Sequence, residues 1–274
     1  MFRKILLWFF AANVIGLIFF IAWSRNSDRY DHFYFQTNKE VNSQVLGKAQ
    51  EVVIQGEDNT DIYAYWFGAN SAKAILFFLH GAGSNVSNYE DKIGKLTHHG
   101  FHVLAVEYRG YGKSNAQPTF DKVIADNQTM FGYLIDQLNN EQLPIIILGQ
   151  SLGGKLAIKL AADNDDQIQG LVTEGAMSSN REIAVAMNQG ISKILPYLFV
   201  GNKFPSTYEI TKVDNVNKLI IHSSQDQTVP FWMGQAIYER AQEPKAFWDS
   251  RCEHVNGLSS QPEVYLAKVD ELLN

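Results

Sequence analysis

The residue pattern best suited to covalent chemistry in this chain is a glycine–glutamine–serine–leucine–glycine run at positions 149–153. An apolar stretch, residues 143–148, precedes the run, and a stretch typical of a helix, residues 155–162, follows it. A serine at such a strand-to-helix turn has a strained backbone that projects its hydroxyl from the sheet edge, and only small neighbours leave room for the turn. We therefore predict that Ser151 is a nucleophile that attacks a carbonyl carbon.

A serine hydroxyl needs a general base to remove its proton. Among the histidines only His222 and His254 follow Ser151, and in serine sites of this kind the chain order is serine, acid, histidine. His222 ends an apolar stretch typical of a strand, whereas His254 lies in the polar segment 250–257. His254 is accordingly the predicted base.

The base needs an acid that binds its second ring nitrogen and fixes its tautomer. Asp226 lies between the two histidines, in a turn after the strand predicted at residues 218–222. It is the predicted acid. Asp249, Glu253 and Glu174 remain alternatives, because the first two flank His254 and the third ends another predicted strand.

The negative oxygen that forms when a carbonyl is attacked requires N–H donors already in place. The amide of Leu152, directly after the nucleophile, is one predicted donor. The other is the amide of Ala82, in a His-Gly-Ala-Gly segment after the strand predicted at residues 73–79. His80 precedes the serine in the chain, and we expect it to brace this loop rather than act as a base.

The elements that would carry these residues alternate between strands and helices. Such alternation predicts an α/β fold with a mainly parallel sheet covered on both faces. A helix is predicted over residues 119–138 from its apolar stripe. The segment 175–216 has no strand pattern and many apolar residues, which predicts a small helical insertion. The predicted strands cover residues 51–54, 61–67, 73–79, 101–107, 144–149, 169–173, 218–222 and 245–248.

Residues from about 52 to 273 resemble serine hydrolases of the α/β-hydrolase superfamily. The resemblance rests on the segments 80–83 and 107–114, the serine turn, and Asp226 with the Val-Pro pair at 229–230. The segment 107–114 is similar to that of membrane-anchored ABHD-type hydrolases, monoacylglycerol lipases and serine aminopeptidases, although Glu107 stands where an aspartate is usual. The resemblance implies the α/β-hydrolase fold with an eight-stranded sheet, a cap at 175–216 above the nucleophile that lines an acyl pocket, and no cofactor.

The amino terminus carries a long apolar stretch at residues 5–23, in which only Asn13 is clearly polar. This length suffices to cross a hydrocarbon core. It predicts a membrane anchor at residues 1–25, a linker at 26–48 and a hydrolase domain at 49–274. A cleaved signal peptide, with a mature chain starting near Arg25, is the alternative. The flanking charges lean toward a single-pass protein with its catalytic domain on the non-cytoplasmic side.

The overall charge argues against a nucleic-acid partner, since a formal net charge of −6 gives no basic surface for phosphates. The single cysteine, Cys252, cannot form an internal disulfide, and the serine turn makes it an improbable nucleophile. His98, His99 and His102 have no thiol or carboxylate at ligand spacing, so we predict no metal site.

These observations together predict a membrane-anchored serine hydrolase. Its substrate would be a carboxylic ester or thioester of lipid or acyl character, cleaved through an acyl-enzyme. An amidase or peptidase of the same fold remains an alternative. A non-catalytic, membrane-tethered binding domain is the other, and an intact set of Ser151, Asp226 and His254 argues against it.

Overall fold

The fold is built around one eight-stranded sheet with the order β1-β2-β4-β3-β5-β6-β7-β8. The computed structural model describes residues 2–140 and 142–274, with side chains from residue 13 onward, apart from residue 141. All the predicted strands are confirmed, each end within one residue of its expected position. They are β1 (Gln50–Gln55), β2 (Asp61–Phe67), β3 (Ala74–Leu79), β4 (Phe101–Glu107), β5 (Ile145–Gln150), β6 (Gly170–Glu174), β7 (Asn217–His222) and β8 (Lys245–Asp249).

Strand direction decides where the chemistry can lie. Strand β2 pairs antiparallel with both β1 and β4. The six strands β3 to β8 run parallel to one another. The carboxyl ends of β3, β5, β6 and β7 therefore meet at one edge of the sheet. Loops at this edge are the usual place for ligands and catalytic groups in open α/β sheets.

Helices cover both faces of the sheet, as the apolar strands require. The side chains of β3 alternate between two cores, since Phe77 and Leu79 belong to one buried cluster and Leu76 and Phe78 to the other. The helices outside residues 175–216 are α1 (Phe2–Asn26), α2 (Ser43–Leu46), α3 (Glu90–His98), α4 (Phe120–Tyr133), α5 (Leu152–Asp163), α9 (Phe231–Arg240), α10 (Gly257–Ser260) and α11 (Pro262–Asp270). The helix predicted at 119–138 is α4 followed by a π-helical turn, Leu134–Leu138.

The segment 175–216 is helical and contains no strand, as predicted. It holds α6 (Asn180–Ala186), α7 (Ile194–Phe199) and α8 (Ser206–Glu209), with 3-10 turns at Gly190–Lys193 and Ile210–Lys212. We call this segment the cap. Helix α8 packs against α5, the helix that follows Ser151. The cap is therefore joined to the same helix that begins at the serine turn.

A buried lysine makes this junction. Lys155 on α5 is 1% exposed, and its Nζ donates to the carbonyl of Lys203 at 2.9 Å and to that of Phe204. Burial lowers its pKa to about 7, against an opposing effect of Glu209 and Asp31. Lys155 therefore binds the cap just before α8, through the carbonyls of Lys203 and Phe204.

The amino-terminal helix α1 reaches the cap. Ser24 Oγ donates to the carbonyl of Phe199 at 3.2 Å, and Arg25 Nε and an Nη donate to the carbonyls of Leu198 and Tyr197 at 2.7 and 3.0 Å. Arg181 Nε donates to the carbonyl of Val200 at 3.1 Å. The carboxyl end of α7, where carbonyls lack helical partners, is thereby satisfied by α1 and α6.

The predicted membrane anchor at residues 5–23 falls partly outside the described side chains, which begin at residue 13. Within the described part of the chain, no helix combines the length and the apolar character that a membrane crossing demands.

The segment 26–48, predicted to be a linker, contacts the hydrolase domain along its length. It contains a 3-10 turn, Asp28–Phe33, and the short helix α2. Phe35 is 3% exposed and belongs to the larger core, and the buried carboxylate of Asp31 accepts from the backbone N–H of Phe120 at 2.9 Å. Burial raises the pKa of Asp31 to about 6.

Candidate active site

Ser151 occupies a strained turn between β5 and α5, as the sequence predicts. Its φ of 56° and ψ of −115° lie outside the regions that non-glycine residues normally adopt. Gly153 makes the turn possible, because a Cβ at this position would lie 2.0 Å from the carbonyl oxygen of Leu79. The N–H of Ser151 donates to the carbonyl of Glu174 at 2.8 Å, so β6 holds the turn from the side.

His254 and Asp226 form a direct pair. His254 Nδ1 lies 2.6 Å from Asp226 Oδ2, while Asp226 Oδ1 accepts from the amides of Thr228 and Val229 at 2.8 and 2.9 Å. Burial acts to raise the pKa of Asp226, but the contact with His254 and the amide hydrogen bonds lower it below its usual value. Asp226 therefore stays ionised at neutral pH and can stabilise a protonated His254.

Both His254 and Ser151 lie beside the end of β6. The carbonyl of Glu174 binds the N–H of Ser151, and the next residue, Gly175, has a φ of 62°. A Cβ on Gly175 would lie 2.9 Å from Cε1 of His254. One pair of consecutive residues thus adjoins the nucleophile turn and the imidazole ring.

The two amides predicted to bind the oxyanion lie beside the nucleophile turn. Within the described residues, the amides of Ala82 and Leu152 donate to no protein acceptor. Leu152 begins α5, where helical N–H groups lack partners and favour negative charge. The loop of Ala82 runs beside the nucleophile, since a Cβ on Gly81 would be 3.4 Å from Cβ of Ser151.

The loop that carries Ala82 is held from below by buried polar groups. His80 Nδ1 lies 2.8 Å from the carbonyl of Gly81, and His80 Nε2 lies 3.2 Å from Glu107 Oε1. The hydroxyl of Tyr108 donates to the carbonyl of His80 at 2.8 Å. This geometry agrees with the bracing role expected for His80. Glu107 contacts His80 and so belongs to the same buried polar cluster.

The alternatives weighed from the sequence occupy other environments. His222 is buried, with Nε2 3.0 Å from the carbonyl of Val229 and 3.7 Å from Asp226, and burial lowers its pKa. Asp249 accepts from the amides of Ser224 and Arg251, which shapes a turn. Burial raises the pKa of the Cys252 thiol, which disfavours the reactive thiolate.

Metal ligation is not offered by the part of the chain that the structure describes, where no cluster of metal-ligating side chains occurs. His99 Nε2 contacts Asp270 at 2.9 Å, and His102 Nδ1 accepts from the amide of Ala69.

A cavity of about 550 Å³ lies between the cap and the start of α9. Its wall includes Pro230, which directly follows the Val229 that binds Asp226. Its apolar lining is Val185, Ala186, Tyr197, Pro230 and Trp232, and its charged lining is Arg181, Glu182 and Lys193. Glu182 already accepts from the hydroxyls of Ser178 and Ser179 at 2.6 and 2.9 Å.

Sequence reasoning missed residues that contact the histidine loop. Lys92 was not considered, and Glu174 was weighed only as an alternative acid. Glu174 does not pair with His254, and its carboxylate instead binds the amide of Gly257 at 2.7 Å. A charged residue at the end of an apolar strand was the one available signal for Glu174; Lys92, on the amphipathic α3, gave none.

A strained serine between β5 and α5, and a histidine–aspartate pair at the same sheet edge, are the features that define serine hydrolases of the α/β-hydrolase fold. The chain is a serine hydrolase of this superfamily. Residues 70–229 match the family Hydrolase_4, described as serine aminopeptidase, S33, and the chain belongs to that family.

Similarity to individual proteins extends beyond the family match. The chain is 25% identical over 268 residues to the lysophosphatidylserine lipase ABHD12 of Danio rerio, which covers 90% of this chain and 69% of the relative. It is 24% identical over 221 residues to the uncharacterized protein YfhR of Escherichia coli K12, covering 78% and 76%. The Pyrococcus furiosus esterase Pf2001 shares the fold with a TM-score of 0.70 at 23% identity, covering 87% of this chain and 98% of the esterase.

Proposed function

We propose that the protein hydrolyses carboxylic esters or thioesters of acyl character through an acyl-enzyme. Ser151 Oγ attacks the carbonyl carbon while His254 takes its proton, and Asp226 stabilises the imidazolium. The Ala82 and Leu152 amides bind the oxyanion, and the returned proton leaves with the alcohol or thiol. Water then releases the acid by the same steps. The observation that carries this proposal is the 2.6 Å pair of His254 and Asp226 at the same sheet edge as the strained Ser151.

The cap cavity supports an acyl substrate. Half of its lining is apolar, and Pro230 in its wall follows Val229, which binds Asp226, so the cavity lies beside the candidate site although Ser151 and His254 do not line it. The descriptions of two similar proteins, a lysophosphatidylserine lipase and an esterase, point the same way.

An aminopeptidase reaction, which the family description suggests, fits this cavity less well. A free α-ammonium is bound most favourably where carboxylates outnumber cations, because like charges repel each other. The cavity instead carries an excess of positive charge, since it is lined by the cations Arg181 and Lys193 and by one carboxylate, Glu182, whose Oε2 accepts from two serine hydroxyls.

A panel of substrates tests the proposal on the full chain in detergent. We expect kcat/KM for p-nitrophenyl esters to rise from acetate to octanoate, by up to about fourfold for each methylene that the cavity buries. Aminoacyl p-nitroanilides should be poor substrates. Val185→Trp should shift the preference to shorter chains because it fills the cavity, whereas Val264→Trp, at an exposed site on α11, should not. Turnover of the anilides in preference to the esters would refute the proposal.

We also propose that the amino-terminal helix attaches the protein to membranes. Consecutive turns of α1 expose large apolar side chains, and Phe19 is 71% exposed. Helix α1 contacts α7 of the cap. Leu195 on α7 is 60% exposed, and Ile191 in the preceding 3-10 turn is 85% exposed. Such a patch on one side of a protein is typical of a surface that meets lipid or another protein. Among the described side chains of α1, the large apolar residues that are exposed are Val14, Ile15, Leu17, Ile18, Phe19, Phe20 and Trp23.

Membrane fractionation checks this attachment. The intact chain should sediment with membranes, resist high salt and carbonate, and require detergent for release, because apolar contacts are not screened by salt. Replacing Ile18 and Phe19 by Asp should shift the protein toward the soluble fraction. Release of the unaltered chain by salt alone would contradict the proposal, and a native chain that begins near Arg25 would indicate a cleaved signal peptide.

A further inference from the structure

We propose that Glu174 and Lys92 are positioning residues that fix the loop of His254 relative to Ser151. The inference rests on the proposed role of His254 as the base. Neither residue touches the imidazole through a hydrogen bond; each binds the backbone of the loop that carries it.

Glu174 links the nucleophile turn to the histidine loop. It is 2% exposed at the end of β6, and its carboxylate Oε1 accepts from the amide of Gly257 at 2.7 Å. The other oxygen, Oε2, accepts from Nε2 of Gln150, the residue before Ser151. Its main-chain carbonyl accepts from the N–H of Ser151. One buried residue therefore binds both parts of the candidate site.

Lys92 holds the same loop from the side of α3. Its Nζ donates to the carbonyl of Val255 at 2.6 Å and to Oε1 of Gln150 at 3.0 Å. Val255 directly follows His254. Lys92, Gln150 and Glu174 are therefore linked by hydrogen bonds next to the serine turn. Lys92 binds the histidine loop at Val255, and Glu174 binds it at Gly257.

The loop needs such contacts because its backbone is strained. Val255 and Arg251 both have a φ of 49°, in the left-handed region that a β-branched or long side chain rarely adopts. Strained backbone persists when the surrounding structure over-determines it, and contacts to the carbonyl of Val255 and the amide of Gly257 do this directly after His254. Losing them would let His254 move while leaving Asp226 and Ser151 in place.

A displacement of the base affects the chemical step more than substrate binding. We therefore expect Glu174→Gln to lower kcat by about 10- to 100-fold with KM changed by less than about threefold. Glutamine keeps the size of the side chain, but its amide can satisfy Gly257 or Gln150, not both, since the groups that face it there are both donors. Labelling by a fluorophosphonate should slow in parallel.

Exchanging the two partners provides the decisive comparison. In the double variant Glu174→Gln, Gln150→Glu, the amide at 174 can donate to the carboxylate at 150 and still accept from Gly257, and the new carboxylate faces Lys92. This exchange preserves charge and atom count, so kcat should recover most of the loss. Recovery would show that kcat depends on the hydrogen-bond pattern between positions 150 and 174, and not on a carboxylate at 174 as such.

Lys92→Met tests the other contact, with Lys95→Met on the same helix as its control. Lys95 pairs with Asp91 at the surface, and its loss should leave kcat unchanged, whereas Lys92→Met should lower kcat about tenfold. Unchanged kcat in Glu174→Gln and Lys92→Met, or a double variant no better than Glu174→Gln, would overturn the inference. Should His254→Ala itself stay active, the proposed function would fail instead, so the two failures are distinguishable.

Discussion

Ser151→Ala should lose all measurable ester turnover and all labelling by a fluorophosphonate. The serine turn presents a single hydroxyl from the end of β5, and methyl at that place cannot be acylated. The substitution removes one oxygen from a turn whose backbone is set by Gly153 and by the carbonyl of Glu174, so the fold should persist. Gel fluorescence after probe treatment and hydrolysis of p-nitrophenyl esters measure the two effects.

Ser259→Ala is the matched control. Ser259 lies on α10, directly after the histidine loop, and the variant should keep both activities. Labelling of the folded Ser151→Ala variant would mean that another residue is the nucleophile. A variant that is folded, unlabelled and still hydrolytic would point to a reaction without an acyl-serine.

His254→Ala should reduce kcat by about 10⁴-fold or more, as expected when the base of such a site is removed. Its Nδ1 is bound to Asp226, which leaves the other ring nitrogen for the serine proton. His222→Ala should retain activity within about tenfold. The ring of His222 is buried behind Asp226, where its loss opens a cavity and lowers the melting temperature. Steady-state kinetics and thermal unfolding of both variants separate the chemical effect from the structural one.

Added imidazole provides a check on the assignment. The space left by the ring in His254→Ala should admit a free imidazole, and activity should rise with its concentration, while His222→Ala should not respond. Greater loss in His222→Ala than in His254→Ala would exchange their roles and remove Asp226 from its place as the orienting acid.

The framework of the fold could be predicted because it depends on local patterns. Strands β3 and β5 are continuous apolar runs, and the glycines at 149 and 153 mark the turn between strand and helix whatever surrounds them. The order of Ser151, Asp226 and His254 along the chain then restricted the candidates, and the structure places His254 and Asp226 in contact. The catalytic roles themselves stay predictions until the variants are measured.

The remaining features depend on partners that the sequence does not display. Glu174 and Lys92 bind backbone groups of a loop more than 80 positions away from either, and a main-chain carbonyl has no residue type to recognise. Residues 251–256 contain no glycine, the residue that usually signals left-handed backbone, so nothing in the sequence indicated the strain at Arg251 and Val255. Residues 26–48 were predicted to be a linker; the apolar residues there, Phe35 among them, follow no helical or strand period that would predict their packing.

The hydrogen bonds from Ser24 and Arg25 to the end of α7 have a practical consequence for anyone who shortens this protein. Removing residues 1–25 is the obvious way to obtain a soluble enzyme, yet it deletes the donors for the carbonyls of residues 197–199. The shortened enzyme would then carry a cap supported mainly through Lys155 and Arg181. Preferences for acyl-chain length measured on it would describe a loosened cap. A shortened protein whose first residue lies before Ser24 would keep the native cap contacts.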